Sequence, residues 1–304
     1  MSTIWVELLG ATVHARGAKY RTRVIESGDG PPLLLLHGIG GHAEAYARNV
    51  IRLGQSARAM AIDFVWHGRS SKPPYVEGED IPTYAEQIVD LLDAEGIERA
   101  DVEGESLGGW VGLWLALHHP DRIGRLILNT TAGIRFAPGV VQERTREGRE
   151  ALAQRSLDAI DNPSPEKIRK RLEWLMASPE RVTDELVELR LALYADPANQ
   201  PALRAVFANA FGAGAAPRRT IGEGELAGVA APTLVLWTDH NPGTGPDVGR
   251  RIAALIPDAQ FHSIEDAAHW PQWEQPEEHD RLVAAFLRGE AVGERLQTTA
   301  VPGA

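Results

Sequence analysis

Val102-Glu103-Gly104-Glu105-Ser106-Leu107-Gly108-Gly109 sets Gly-x-Ser-x-Gly between an apolar strand and an apolar helix. A serine so placed sits on a sharp strand-to-helix turn, its hydroxyl held above a sheet where it can act as a nucleophile. Ser106 is therefore the first candidate catalytic residue. The flanking glycines have a steric role, because the turn strains the serine backbone and draws the chain in so closely that side chains at Gly104 and Gly108 would clash. Ala100-Asp101-Val102-Glu103 reads as the strand. Residues 107–118 read as a buried helix, with Leu107, Val111 and Leu115 at helical spacing and Trp110, Trp114 and Leu117 filling in. The same residues could serve an ordinary tight bend; the flanking strand and helix favour the catalytic reading.

Working outward, residues 4–9 and 19–26 alternate like half-exposed strands. Gly28-Asp29-Gly30-Pro31-Pro32 is a turn into Leu33-Leu34-Leu35-Leu36, a run suited to a strand buried on both faces. A helix near 44–53, a strand at 58–62, a helix at 84–95, the serine turn and a strand at 124–129 follow, so strand and helix alternate and the sheet should be mostly parallel. From about Ile134 to Glu225 the pattern changes to charged helices punctuated by Pro163, Pro165, Pro179, Pro197 and Pro201. Alternation resumes with a strand at 233–237, a helix near 248–256, a strand at 260–264 and a last helix at 277–287. The implied architecture is a doubly wound α/β core (residues 1–133 and 226–288), an inserted helical lid (134–225), and a polar, unstructured tail (289–304).

The 304 residues include no cysteine, which excludes disulfides and thiolate metal sites, and 43% hydrophobic content suffices for a sizeable core. No His-x-x-x-His or carboxylate cluster suggests a metal, and no cofactor is called for. The first residues lack a basic segment followed by an apolar run, and no stretch offers the roughly 18 apolar residues of a membrane helix, so a cytoplasmic protein is expected. Asp and Glu number 42 against 31 Lys and Arg, a net charge of −11 that repels nucleic acid and anionic membrane surfaces. The expected partner is a small-molecule substrate.

A serine nucleophile needs a base. His269, in Glu265-Asp266-Ala267-Ala268-His269-Trp270 just after the last strand, lies at the end of a parallel sheet where ligands bind. His37-Gly38-Ile39-Gly40-Gly41 follows the Leu33–Leu36 run, and its glycines let backbone N–H groups point into the space above the sheet. Paired amides at Ile39 and Leu107 would stabilise charge developing on a carbonyl oxygen, an effect worth about 3 kcal/mol per donor. In the lid, Val182, Leu186, Leu189 and Leu193 form an apolar helical stripe, and Arg190 falls on it. A guanidinium there needs an anion, either a lid glutamate or a ligand.

These motifs resemble the α/β-hydrolases over essentially the whole length to Leu287. More narrowly, His37-Gly38-Ile39-Gly40-Gly41, Gly104-Glu105-Ser106-Leu107-Gly108-Gly109-Trp110 and His269-Trp270-Pro271-Gln272-Trp273-Glu274 resemble the meta-cleavage-product hydrolases, which cut a carbon–carbon bond in vinylogous 1,5-diketone acids made by aromatic ring opening. The resemblance implies that Arg190 holds the substrate carboxylate; Gly38, Trp270 and Glu105 are further candidates for binding substrate. Similar hydrolases are often dimers or larger, so homo-oligomerisation is implied as well.

The chain departs from that pattern in three places. The acid that orients the histidine is expected four residues after the strand-end aromatic Trp237, and there stands Asn241; Asp239 comes two residues early. Asn241 as a neutral partner, Asp239 swinging in, or a distant Asp266 are the three possibilities. Glu105 precedes the nucleophile where asparagine is usual, and Trp66 replaces a glycine common in the Asp63-Phe64-Val65-Trp66-His67-Gly68 turn. Ester or lactone hydrolysis therefore stands beside carbon–carbon cleavage, and a non-catalytic ligand-binding protein on the same fold is the alternative of another class.

Overall fold

The computed structural model describes residues 3–139, 146–211 and 219–296, without the side chains of 146–152. Eight strands form the main sheet: β1 (Thr12–Arg16), β2 (Thr22–Ser27), β3 (Pro32–Leu36), β4 (Arg58–Ile62), β5 (Ala100–Glu105), β6 (Ile123–Asn129), β7 (Thr233–Thr238) and β8 (Ala259–Ile264). Their order is β1-β2-β4-β3-β5-β6-β7-β8. β1 pairs antiparallel with β2, and β2 with β4; all other pairings are parallel. Leu33 to Leu36 are fully buried, as are Thr233 to Trp237, because the central strands have helices on both sides and only apolar runs fit there.

Helices α1 (Asp80–Ala94), α2 (Leu107–His118), α7 (Pro246–Leu255) and α8 (Pro276–Leu287) flank the sheet. Between β6 and β7 lie α3 (Arg146–Asp161), α4 (Pro165–Glu173), α5 (Asp184–Ala195) and α6 (Gln200–Phe211). These four pack on one another and roof the carboxyl ends of the parallel strands. Local sequence starts them: Ser164 caps α4, with Pro165 at its first position, and Thr183 caps α5 by accepting from the Leu186 amide. A two-residue ladder of Ile134–Arg135 with Ile221–Gly222 joins the chain entering the insertion to the chain leaving it.

Three expectations are corrected. Residues 4–9 are not a strand. Thr3 caps a single helical turn, Ile4–Glu7, and the Ile4 amide donates to Glu185 Oε2 on α5 at 2.8 Å; a cap and a lid contact override the alternation. Residues 44–53 divide into a 3-10 turn, Ala43–Tyr46, and a helical turn, Val50–Leu53. The first part of the tail is ordered: Glu294 exchanges two backbone hydrogen bonds with Phe261, each 2.8 Å. Residues 292–295 therefore cover the free edge of β8, an outer strand that would otherwise expose unpaired amides; 297–304 lie outside the described residues. Among the described residues no helix is long and apolar enough to cross a membrane.

Candidate active site

Ser106 occupies the turn between β5 and α2 with φ 53° and ψ −109°, a strained backbone for a residue with a Cβ. Hydrogen bonds on three sides hold it: its amide donates to Asn129 O, and its carbonyl accepts from Trp110 and Ala132. A Cβ on Gly104 would strike the Gly108 backbone, and one on Gly108 would strike Leu36 O, so both glycines are required by close approach.

The loop after β3 is shaped from within by His37, which burial holds neutral at about 3. Its Nε2 accepts from the Phe64 amide at 3.1 Å, so Nδ1 carries the hydrogen and donates to Gly38 O at 2.7 Å. Gly40 adopts φ +68°, and a Cβ there would collide with Tyr194 and Phe207 of the lid; the Tyr194 hydroxyl donates to Gly40 O at 3.1 Å. Ile39 and Leu107 both line the cavity beneath the lid. Leu107 is the first residue of α2, where the amide has no partner within the helix.

That cavity has a volume of about 640 Å³, and Ser106, His269 and Asn241 line it too, with apolar walls from Trp110, Trp174, Leu175 and Phe211. His269 is held through its backbone: its amide donates to Leu175 O and its carbonyl accepts from Thr130 Oγ1. Glu274 fastens the rest of the loop by accepting from the Ala268 and Ala177 amides. The imidazole Nδ1 lies 2.7 Å from Asn241 Oδ1. Asn241 Nδ2 donates to Thr244 O, which turns the amide oxygen toward the ring. Nδ1 therefore carries the hydrogen, and Nε2 presents a lone pair.

Of the three candidates for the partner of His269, the structure brings only Asn241 to it. The Asp239 carboxylate instead accepts from the Asp266 and Ala267 amides, bracing the histidine loop, and Asp266 pairs with Arg181. The two-residue offset points Asp239 along the loop rather than beneath the ring.

Glu105 lies on the other edge of the imidazole, its Oε1 3.1 Å from His269 Nε2. Burial pushes the Glu105 carboxyl up to about 8, against the Gly38 amide and Arg190, while burial and Arg171 push His269 down to about 3. Both shifts favour a neutral pair at pH 7. Glu105, Gly38, Arg190 and Trp270 are not on the cavity wall. They stand one layer behind it, Glu105 against Gly38 and the Arg190 guanidinium 5.2 Å from the Trp270 ring centroid.

Arg190 is 1% exposed, and its Nε and Nη2 have no hydrogen-bond partner among the described residues. The lid glutamate that would explain it structurally is not among its described contacts. Arg171 of α4, which does line the cavity, escaped the sequence reading. The signal was present: it lies three residues after Ile168 and four before Leu175, both buried.

A nucleophile turn at the end of β5, a histidine after β8 and a glycine-rich loop after β3 define the α/β-hydrolase class. The family model for the alpha/beta hydrolase fold matches residues 31–276, and the chain belongs to that family. Within it, the chain is 32% identical over 291 residues to a 2-hydroxymuconate semialdehyde hydrolase of a Pseudomonas species, covering 92% of this chain and 94% of the relative. A 2-hydroxy-6-oxononadienedioate/2-hydroxy-6-oxononatrienedioate hydrolase of Cupriavidus pinatubonensis is 30% identical, with 91% and 93% covered. Among solved structures, the meta-cleavage product hydrolase of Pseudomonas fluorescens superposes with a TM-score of 0.76 at 26% identity, over 92% of this chain and 99% of that one.

Proposed function

We propose that the protein hydrolyses a carbon–carbon bond in a vinylogous 1,5-diketone acid, the type of compound produced by ring opening of an aromatic. The observation that carries this reading is Arg190, a buried guanidinium one layer behind a serine–histidine cavity, whose described acidic neighbour, Glu105, is held protonated by burial and so leaves the charge without a described counter-anion. An anionic substrate is what such a charge is built to meet. The substrates named for the relatives, an unsaturated semialdehyde acid and unsaturated dioic acids, belong to that class.

In the mechanism this supports, Arg190 takes the carboxylate and the far carbonyl lies at Ser106, its oxygen toward the Ile39 and Leu107 amides. His269 Nε2 accepts the enol proton, which returns to carbon as the substrate ketonises. Ser106 Oγ, giving its proton to His269, then attacks the polarised carbonyl; the carbon–carbon bond breaks, the leaving enolate takes that proton, and a water deprotonated by His269 hydrolyses the acyl-enzyme and regenerates Ser106. Asn241 supplies no negative charge to an imidazolium, but with its Oδ1 on Nδ1 it keeps the productive tautomer, the loss of which costs about 10⁴ in turnover when asparagine replaces the acid of a serine protease. A reaction whose first step is a proton transfer from an acidic enol depends less on that charge than direct acylation by an alkyl ester. This favours diketone acids over esters and lactones.

The test is steady-state kinetics on a diketone dienoic acid and on a p-nitrophenyl ester. kcat/KM is expected to be at least tenfold higher for the acid, and Ser106→Ala is expected to lower turnover of both by about 10³ or more. Ester activity with no activity on the acid would make the protein an esterase. An intact Ser106→Ala enzyme would remove the nucleophile.

A further inference from the structure

His269 must become an imidazolium whenever it takes the Ser106 proton, yet its Nδ1 side offers no charge to that cation. Asn241 Oδ1 stands there, 2.7 Å away, on a neutral amide. Burial and Arg171 hold the imidazole down to about 3, so with this partner alone it is a weak base for a serine hydroxyl. The carboxylates of Asp239 and Asp266 are engaged elsewhere, by the loop backbone and by Arg181.

The other nitrogen of the ring faces a carboxyl. Glu105 Oε1 lies 3.1 Å from Nε2, the atom that receives the proton. The side chain is 1% exposed and fixed at the end of β5, one residue before the nucleophile. It is wedged against the loop after β3, where even a Cβ on Gly38 would come within 2.4 Å of Oε2. The groups around it are His269, the Gly38 amide, Tyr46 of the 3-10 turn, Arg171 of α4 and Arg190 of α5. Burial pushes the carboxyl up to about 8, with the Gly38 amide and the two arginines opposing, so its ionised form is accessible in the working pH range of such an enzyme.

We propose that Glu105 supplies the negative charge that Asn241 cannot, so that the two departures from the family pattern compensate each other: the carboxylate expected at Nδ1 of the catalytic histidine stands here at Nε2. In the active form Glu105 is ionised and His269 neutral. The Ser106 hydroxyl gives its proton to Nε2 while its oxygen bonds to the carbonyl carbon, and the imidazolium is held between Glu105 Oε1 and Asn241 Oδ1. The same proton then passes to the leaving carbon, or to the leaving oxygen of an ester. Glu105 neither gains nor loses a proton in the cycle. This role belongs to the serine–histidine pair and does not depend on the diketone-acid reading.

The experiment measures kcat from pH 6 to about 9.5 on a diketone dienoic acid and on a p-nitrophenyl ester, at saturation because the same ionisation weakens the hold on an acid substrate. Wild-type kcat is expected to rise at least roughly tenfold across this range; Glu105→Gln is expected to stay flat, meeting wild type near pH 6 and falling at least about tenfold below it at pH 9. Adding Asn241→Asp to Glu105→Gln is expected to recover about tenfold or more at pH 7, because the charge returns on the Nδ1 side; a carboxyl that only packed the loop would not be replaced from there. A flat wild-type profile overturns the proposal, as does an equal rise in Glu105→Gln or a double variant no faster than the single one. The wild-type profile decides even if Glu105→Gln fails to fold. A rise seen with the ester while the acid is not turned over supports the role of Glu105 and overturns the diketone-acid reading; a flat profile with the acid turned over does the reverse. Turnover of neither substrate by wild type overturns both.

Discussion

At the scale of single residues, the departures from the family pattern have physical partners. Trp66 adopts φ 65°, a conformation that glycine takes freely, which is why glycine suits this turn. Here an indole fills the position, donating to Pro73 O at 2.7 Å and meeting the rings of Tyr75 and Tyr84 edge-on. Glu105 is the more consequential departure. The groups facing it are His269 Nε2, the Gly38 amide, Arg190 and Arg171. Its folded pKa of about 8 stands above the usual carboxylic value. An unfolded chain gives up this proton near pH 4.5, the folded chain near 8, so its contribution to stability falls as pH rises through that interval. Glu105→Gln should therefore unfold at higher temperature than wild type at pH 9, with the difference vanishing near pH 5. The same titration puts a carboxylate beside the acid-binding site, so KM for an acid substrate should climb above about pH 8 in wild type and stay flat in Glu105→Gln; a rise in both would assign the effect to another group.

Among the elements, the strands of the sheet centre were legible because burial on both faces leaves a composition signature. Residues 33–36, 58–62 and 233–237 are unbroken or nearly unbroken apolar runs, and the structure places β3, β4 and β7 within a residue of them. The serine turn, the glycine-rich loop and the histidine loop were equally legible, since each chemistry demands particular residue types at fixed local spacing. Contacts between distant segments left no local trace. Counting from Trp237 pointed to Asn241 but could not show where Asp239 turns, and nothing near Glu105 in the chain announces His269. The same holds for the joint between α8 and β5, where His279 lies between Glu103 at 2.7 Å and Asp280 at 2.9 Å, all buried. Burial alone would depress the imidazole, but the two carboxylates override it and hold it at about 10. This joint strengthens folding fully below pH 6.5, and its contribution is lost as pH rises through 10. His279→Gln leaves two buried carboxylates without their cation, and a loss of about 3–5 kcal/mol in urea unfolding at pH 7 is expected.

On the scale of the whole molecule, the described segments nearest the two termini, around Ile4 and around Glu294, are tied into the fold. Glu294 pairs with Phe261 and also binds Arg250, and Arg295 reaches Asp258. Removing residues 290–304 should expose the β8 edge, lower stability by about 1–2 kcal/mol and increase self-association in light scattering, because a bare edge strand invites pairing. An unchanged melting temperature would mean the contact is idle. At the opposite end, the single helical turn at Ile4 reaches across to Glu185, in the first turn of the helix that carries Arg190. Whatever is attached ahead of Ile4, a purification tag or a fusion partner, pulls on the same helix that sets how firmly an acid is gripped. Affinities measured on tagged and untagged protein should therefore be compared before either is attributed to the pocket.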